Sequence, residues 1–322
     1  MTAQTVAAPM PSGNLANRTR SPQVRLFLRL MRNIPALVGA AVILGVVLVA
    51  IFAPVIARYP YAQTDLSAIE QAPSAAHWFG TDALGRDMFS RVVWGARSAV
   101  FVIVLTTILG LSLGLPLGAA AGYLGGWVDT LVMRVADILF AFPGLLFVFL
   151  IAATIKPAII AWARSIGLAD LARTGYLDYA VVIIALGTVG WAGLARLVRA
   201  QVLTVKEREF VISARAIGVP TWKVILRHIL PNSIAPVIVA LSMGMGDIAL
   251  SEGYLSFLGI GLQPPNPSWG NILADNASRY WRTFPQMIWL VLIPGLILAA
   301  VVFAFNFLGD GLNEALNPEI SP

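Results

Sequence analysis

The sequence predicts an all-α integral membrane protein with about six transmembrane helices. Of its 322 residues, 58% are hydrophobic and only 12% are charged, whereas a soluble domain has about 45–50% apolar and ~25% charged residues. A soluble fold of this length could not hide so much apolar surface, because about a quarter of the unfolded chain's surface stays in contact with water. Several uncharged runs also reach the roughly 20 residues that a helix needs to cross a bilayer. Lipid is therefore the solvent that the composition indicates.

We expect six spans, each an apolar run about as long as the hydrocarbon core is thick. The fourth run is short but continues through Arg196 and Arg199, whose long stems can reach back to the interface. The fifth is interrupted by Asp247 and Glu252 and ends before a proline-rich segment that cannot continue a helix. The predicted spans are residues 36–57, 98–121, 134–155, 179–203, 232–260 and 284–308.

Two segments are expected before the first span. Residues 1–20 are polar and predict a disordered tail. Residues 21–35 favour an interfacial helix, because Ser21-Pro22 is a helix start and the arginines that follow lie opposite leucines. The first span is interpreted as a retained helix, because its uncharged run of 25 residues is longer than the core of a secretory signal.

The distribution of basic residues favours a cytoplasmic N-terminus. In that orientation the inner segments, residues 1–35, 123–137 and 196–231, hold 13 lysines and arginines, and the outer segments hold 9. Cytoplasmic loops of membrane proteins carry such an excess of positive charge. With six spans, the C-terminus is then expected in the cytoplasm as well.

The sequence lacks three common motifs of ATPases and hydrolases. A phosphate-binding G-x-x-x-x-G-K-[ST] loop, a G-x-S-x-G elbow and an H-E-x-x-H pair are all absent. There is no cysteine, and the two histidines, His77 and His228, are far apart. We therefore expect no catalytic residue, no metal site and no cofactor bound by this chain. The net charge of +6 lacks a basic stripe interleaved with aromatics, so nucleic acid is not an expected partner.

The longest polar interruption late in the chain, residues 204–231, predicts two short helices that face the cytoplasm. Thr204 and Glu207 form a capping-box pattern before the first helix, which Gly218 ends. Thr221 is expected to cap the second. Apolar residues at helical spacing give the first helix a narrow apolar face, namely Phe210, Ala214 and Ile217. The residues alone leave two interpretations open: a helix lying on the membrane or its own bundle, or one made for another protein's groove.

The residues of this loop resemble the cytoplasmic coupling loop of ABC importer permeases. The stretch Glu209-Phe-Val-Ile-Ser-Ala-Arg-Ala-Ile-Gly218, followed by Arg227-His-Ile-Leu-Pro-Asn232, is similar to the family pattern E-A-A-x3-G with I-x-L-P at a fixed distance after it. Two positions depart from the pattern, because Ile212 replaces the usual glutamate and Ser213 the first alanine.

Three further stretches, residues 77–91, 122–129 and 255–270, resemble the dipeptide, oligopeptide and nickel branch of that family, and its C-type subunit in particular. The resemblance implies a type I importer permease in the bacterial inner membrane, translocating di- or oligopeptides. Nickel chelates and glutathione-like peptides remain alternative substrates. An ion-coupled secondary transporter is a remote alternative, since it should show broken helices in repeated halves.

The resemblance also implies partners. They are membrane lipid, a homologous B-type permease forming a heterodimer with this chain, two ATPase subunits that bind ATP and magnesium, and a periplasmic or lipid-anchored substrate-binding protein. Gly218 would supply a turn with positive φ that aims the coupling helix. The residues expected to contact the ATPases are Glu209, Phe210, Ser213, Ala214, Arg215, Ala216 and Gly218.

Two other groups of charged residues are candidate sites. Asp247 and Glu252 lie well inside a span, where charge is costly unless it is paired or faces a cavity. They either line the substrate path or pair structurally. Asp82, Arg86 and Asp87 lie in a glycine-rich outer segment. They either dock the binding protein or form an ordinary capped entry into the second span.

Overall fold

The computed structural model of the chain describes residues 28–280 and 287–316, which fold as a bundle of helices. We number the helices in chain order: α1 (Ile34–Ile56), α2 (Met88–Leu124), α3 (Gly126–Phe140), α4 (Gly144–Ser165), α5 (Ala169–Arg173), α6 (Tyr176–Val205), α7 (Glu209–Ala216), α8 (Thr221–Val224), α9 (Leu230–Phe257), α10 (Trp269–Tyr280) and α11 (Trp289–Leu316). A π-helical turn, Ile225–Ile229, joins α8 to α9.

Six helices of the described part are long and apolar enough to cross a membrane, which confirms the predicted number of spans. They are α1, α2, α4, α6, the continuous segment Thr221–Phe257, and α11. The predicted position of the third span, residues 134–155, is wrong. Pro143 separates α3 from α4, because proline disfavours the helical conformation of the residue before it. The third span therefore runs from Gly144 to Ser165.

The second span begins earlier than predicted. Helix α2 starts at Met88, where the Asp87 side chain accepts a hydrogen bond from the Ser90 amide at 2.8 Å. The prediction started at residue 98 because it counted only uncharged residues, whereas α2 includes Arg91 and Arg97 in its first turns.

The N-terminal segment is only partly described. Residues 1–27 lie outside the described part, so the predicted tail and most of the interfacial helix do so as well. Residues 28–30 are helical, and a turn separates them from α1. Asn33 caps α1, accepting a hydrogen bond from the Ala36 amide at 2.9 Å. The predicted helix over residues 21–35 is therefore interrupted before the first span.

The bundle is built around α2 and α6, which pack against each other more extensively than any other pair. Glycines of α2 allow the close approach. A Cβ added at Gly114 or Gly122 would lie 2.9 Å from a backbone carbonyl oxygen of α6, and one at Gly118 would lie closer still to the carbonyl oxygen of Ala195. Small residues commonly let helix backbones approach in membranes.

The helix ends define two ends of the bundle. The side chain of Asn33 donates to Glu314 of α11 at 2.6 Å, so the start of α1 and the end of α11 lie together. The Tyr59 amide donates to Ser90 at 3.1 Å, so α1 ends where α2 begins. Lys206 donates to the Gly122 carbonyl at 3.2 Å, which places the segment after α6 beside the end of α2. The segment containing α7 and α8 therefore shares one end with both described chain ends.

Candidate functional site

Helices α7 and α8 form a hairpin at this end of the bundle. Val211, Ala214 and Val224 are buried inside it, where Val211 and Val224 join a core cluster with Val202 and Val205 of α6. The Arg215 guanidinium lies 5.0 Å from the ring centroid of Tyr123, at the end of α2. These contacts fix the hairpin to the helices above it.

The outer face of the hairpin is exposed and partly apolar. The predicted apolar face of Phe210, Ala214 and Ile217 is wrong, because Ala214 is buried with Val211 while Phe210 and Ile217 are 45% and 81% exposed. Ile212, which departs from the family pattern, is 51% exposed on the same helix. Five more of the expected contact residues are exposed: Glu209, Ser213, Arg215, Ala216 and Gly218.

The helix ends in the hairpin differ from the prediction at two places. The Thr204 hydroxyl donates to Ala200 within α6 at 3.1 Å, and Arg208 stands at the start of α7 without a side-chain cap, so no capping box forms. Thr221 begins α8 after Pro220 and does not precede it as a cap. The positive φ expected of Gly218 is confirmed at +80°. A Cβ there would meet nothing within 4 Å, so the backbone angle alone requires glycine.

The second helix of the hairpin continues directly into a span. The predicted loop of residues 204–231 therefore does not end as a separate short helix, because α8, the π turn and α9 run on without a break. The Leu230 amide donates to the Ile225 carbonyl across the π turn, and Pro231, which has no N–H, follows immediately. Such π turns commonly occur at functional sites.

A groove lies at the base of the hairpin, with a volume of about 560 Å³. It combines charged side chains with an exposed aromatic ring and is open to the outside. Its lining residues are Val205, Glu207, Arg208, Glu209, Phe210 and Asn232.

A second cavity, which we call the cleft, lies between α2, α4, α6 and α9 and has a volume of about 470 Å³. Asp247 of α9 lines it and is exposed. Thr106, Thr107 and Ser251 add hydroxyl groups to its wall. The sequence prediction missed the two threonines, although two adjacent hydroxyls in an otherwise apolar run were a possible signal.

Glu252 does not share this cleft with Asp247. Its side chain is 1% exposed, and its carboxylate accepts a hydrogen bond from Ser256 of the same helix at 2.6 Å. The structure therefore separates the two acids that were considered together: Asp247 faces the cleft, and Glu252 is packed inside the subunit.

The charged segment before α2, at the opposite end from the hairpin, forms an internal cluster. Asp82, Arg86 and Asp87 are 1%, 9% and 4% exposed, so the isolated subunit does not present them as a docking surface. Arg86 donates to Asp82 at 2.7 Å and to Asp275 at 3.0 Å, while Arg91 contacts the same two carboxylates. Asp87 caps α2 and lies 2.9 Å from His77. The capped entry into the second span is the alternative that these contacts favour.

Charge pairing decides the pKa of Asp82. Burial by itself would raise the pKa of this carboxyl, but the guanidinium groups of Arg91 and Arg86, with two backbone N–H donors, hold its pKa below the ordinary value. In the part of the chain that the structure describes, no three acidic, histidine or cysteine side chains are grouped so that they could hold a metal ion.

Comparisons with known proteins agree with this architecture. The sequence profile of the family described as "Binding-protein-dependent transport system inner membrane component" matches residues 114–322. A second profile, "N-terminal TM domain of oligopeptide transport permease C", matches residues 21–73.

Curated relatives match along almost their full length. The chain is 40% identical to the dipeptide transport system permease protein DppC of Alkalihalophilus pseudofirmus, over 93% of this chain and 91% of the relative. It is 35% identical to the oligopeptide transport system permease protein OppC of Bacillus subtilis, over 91% and 88%. It is 39% identical to the glutathione transport system permease protein GsiD of Shigella dysenteriae, over 94% and 93%.

Proposed function

Because the chain belongs to the family of binding-protein-dependent transport system inner membrane components, we propose that it is the C-type permease subunit of an ATP-driven importer of di- or oligopeptides. As a permease component of an ABC transporter it is not itself the ATPase. Relatives that share 35–40% identity are named for dipeptide, oligopeptide and glutathione transport. All three names describe peptides, so a peptide is the substrate class that we propose.

One observation carries the proposed mechanism: the helix that closes the exposed hairpin is continuous with the helix that lines the cleft. A partner that displaces α8 therefore displaces α9 and, with it, Asp247. Packed helices respond to such a push by moving between discrete arrangements rather than by deforming continuously. ATP-driven closure of the partner ATPases would supply the push and change access to the cleft.

The hairpin is the surface that we propose for the ATPase partners. Phe210, Ile212 and Ile217 are large apolar side chains exposed at a polar end of the bundle, where a protein groove would remove them from water. Ser213, Ala216 and Gly218 complete this outer surface, and Glu209 lines the groove at the base of the hairpin. Arg215 is exposed beside them, with its guanidinium turned back to Tyr123 of α2. Ala214 acts from inside, by holding the hairpin together.

The cleft is the reason to propose a second permease. Asp247 is exposed on a membrane-spanning helix, and charge facing lipid costs at least a few kcal/mol. A homologous B-type permease packed over the open side would remove the cleft from lipid. A binding protein would deliver substrate at the opposite end from the hairpin, and the hairpin and both chain termini would face the cytoplasm.

The test is ATP-driven uptake by the complete complex, reconstituted in proteoliposomes with its binding protein and a dipeptide. The double variant Phe210→Asp/Ile217→Asp should insert normally, lose the ATPase subunits on affinity purification and lose uptake. The matched control is Leu66→Asp, an apolar residue that is 73% exposed at the opposite end, and it should retain the ATPases. Full uptake by the double variant, or uptake by wild type without nucleotide, would refute the proposal.

A further inference from the structure

Two buried hydroxyl groups of the cleft have no hydrogen-bond partner among the described residues. They belong to Thr106 and Thr107, which are 3% and 9% exposed. Three other hydroxyls within the spans donate to a carbonyl of their own helix, four residues earlier. Thr154 donates to the Leu150 carbonyl at 2.7 Å, Thr188 to that of Ile184 at 2.6 Å, and Ser242 to that of Ile238 at 3.0 Å. Because unsatisfied buried polar groups are costly, the two threonine hydroxyls indicate a partner that comes from outside the chain.

Glycines keep the cleft open beside these hydroxyls. A Cβ added at Gly110, Gly144, Gly190 or Gly244 would meet nothing within 4 Å, although all four residues line the cleft. Gly114 and Gly118, one and two turns further along α2, are different. A Cβ at either position would collide with α6, which packs against them. The cleft glycines therefore leave space within this subunit. A volume of about 470 Å³ lies in the range of small-molecule sites.

Asp247 makes the cleft negatively charged. The lining residues that the structure describes include no lysine or arginine, and Asp247 has no ion-pair partner among the described residues. A cation that enters the cleft would therefore be attracted to this carboxylate. A protonated amine has three N–H donors, and carboxylate and hydroxyl oxygens can accept them.

The geometry points to the cleft as a transit site for the protonated amino terminus of a peptide, with Asp247 as the charged acceptor and the hydroxyls of Thr106 and Thr107 as neutral partners. This inference rests on the proposed function and adds a specificity-determining group to it. A cationic side chain of the partner permease is the competing occupant of the same carboxylate, and the experiment below separates the two.

The experiment measures binding of two small probes to the complete permease–ATPase complex in nanodiscs, without the binding protein. Alanyl-alanine carries the ammonium group, and propionyl-alanine has the same shape without it. Titrations followed by saturation-transfer NMR should show that Asp247→Asn weakens alanyl-alanine binding about tenfold or more, which is the usual scale for hydrogen bonds to charged groups. Propionyl-alanine should bind weakly to wild type and be unaffected by the substitution.

Two further variants complete the design. The double variant Thr106→Val/Thr107→Val keeps the shape of the side chains and should weaken alanyl-alanine severalfold. Glu252→Gln makes the same change of charge on the same helix but away from the cleft, and it should bind both probes as wild type does.

The inference is overturned if Asp247→Asn binds alanyl-alanine as tightly as wild type. It is equally overturned if the substitution weakens both probes alike or releases the partner permease, since Asp247 then serves the contact between subunits. Either result leaves peptide import in place as long as the wild-type complex still takes up dipeptide with ATP. Failure of that uptake would instead refute the proposed function.

Discussion

Asp82 lies at the centre of an ion cluster at the end of the bundle opposite the hairpin. Its carboxylate contacts two guanidinium groups and accepts backbone hydrogen bonds from Leu84 and Arg86. Arg91 is 2% exposed, so loss of Asp82 would leave a buried cation with Asp275 as its remaining acidic partner. Removing one partner of a buried ion pair commonly costs about 3–5 kcal/mol.

We expect Asp82→Asn to lower the free energy of unfolding by about 3 kcal/mol at pH 7. The folded-state pKa of Asp82 lies below its ordinary value of 3.8, so its stabilising contribution is complete above that value and is lost as the pH falls through the folded pKa. The difference in Tm between wild type and variant should therefore stay constant from pH 7 to pH 5 and shrink only below about pH 4. Thermal unfolding of the purified protein measures it.

Asp170→Asn is the control, because that carboxylate is 95% exposed and its loss should not change Tm. A variant of Asp82 with wild-type Tm at pH 7 would contradict the ion cluster. A difference that remained undiminished at pH 3 would contradict the depressed pKa.

Among the elements, α2 uses glycine for two opposite purposes along one helix. Gly118 lets α6 approach, whereas Gly110, about two turns earlier along the helix, leaves space in the cleft. Alanine is favoured over glycine inside helices by about 1 kcal/mol. The sign of a Gly→Ala substitution therefore depends on what its methyl group meets.

We expect Gly110→Ala to leave Tm unchanged or to raise it, because its Cβ meets nothing within 4 Å. Gly118→Ala should lower Tm, because its Cβ would overlap the backbone of Ala195 and Val198 would have to move as well. Thermal unfolding of the two variants in the same detergent compares them directly. Equal effects of the two substitutions would show that α2 and α6 do not pack as described.

The elements also show what the sequence could not specify. The length of an apolar run predicts that a span exists, and all six were found in chain order. The length of the run does not show where a helix breaks. At Phe142-Pro143 the apolar run of residues 138–155 is divided between α3 and α4. At Pro231 the helix continues, because a π turn precedes the proline. Whether a proline ends a helix depends on the packing around it, and the amino-acid sequence alone does not give that packing.

The candidate site residues differ in how far the sequence could predict them, because some roles depend on local backbone chemistry and others on contacts between helices. The positive φ of Gly218 follows from local backbone chemistry, and it was predicted correctly. The roles of Ala214, Glu252 and Asp82 depend on which helix packs against them, and each proved to be buried. The unsatisfied hydroxyls of Thr106 and Thr107 become visible only when four helices are placed around them.

For the whole molecule, a continuous run of helix connects the hairpin to the cleft. The hairpin presents apolar residues at one end of the bundle, α8 continues into α9, and α9 carries Asp247 to the cleft. The chain contains no cysteine, so single cysteines can be introduced and labelled without background.

The most direct test of the central claim, that the hairpin is a cytoplasmic surface covered by the ATPases, is labelling of Ile217→Cys with a membrane-impermeant maleimide. The side chain is 81% exposed in the isolated subunit. We expect no labelling in intact cells, labelling after permeabilisation when the ATPases are absent, and protection when they are present. Leu66→Cys at the opposite end should be labelled from outside. Labelling of Ile217→Cys in intact cells, or equal labelling with and without the ATPases, would contradict the central claim.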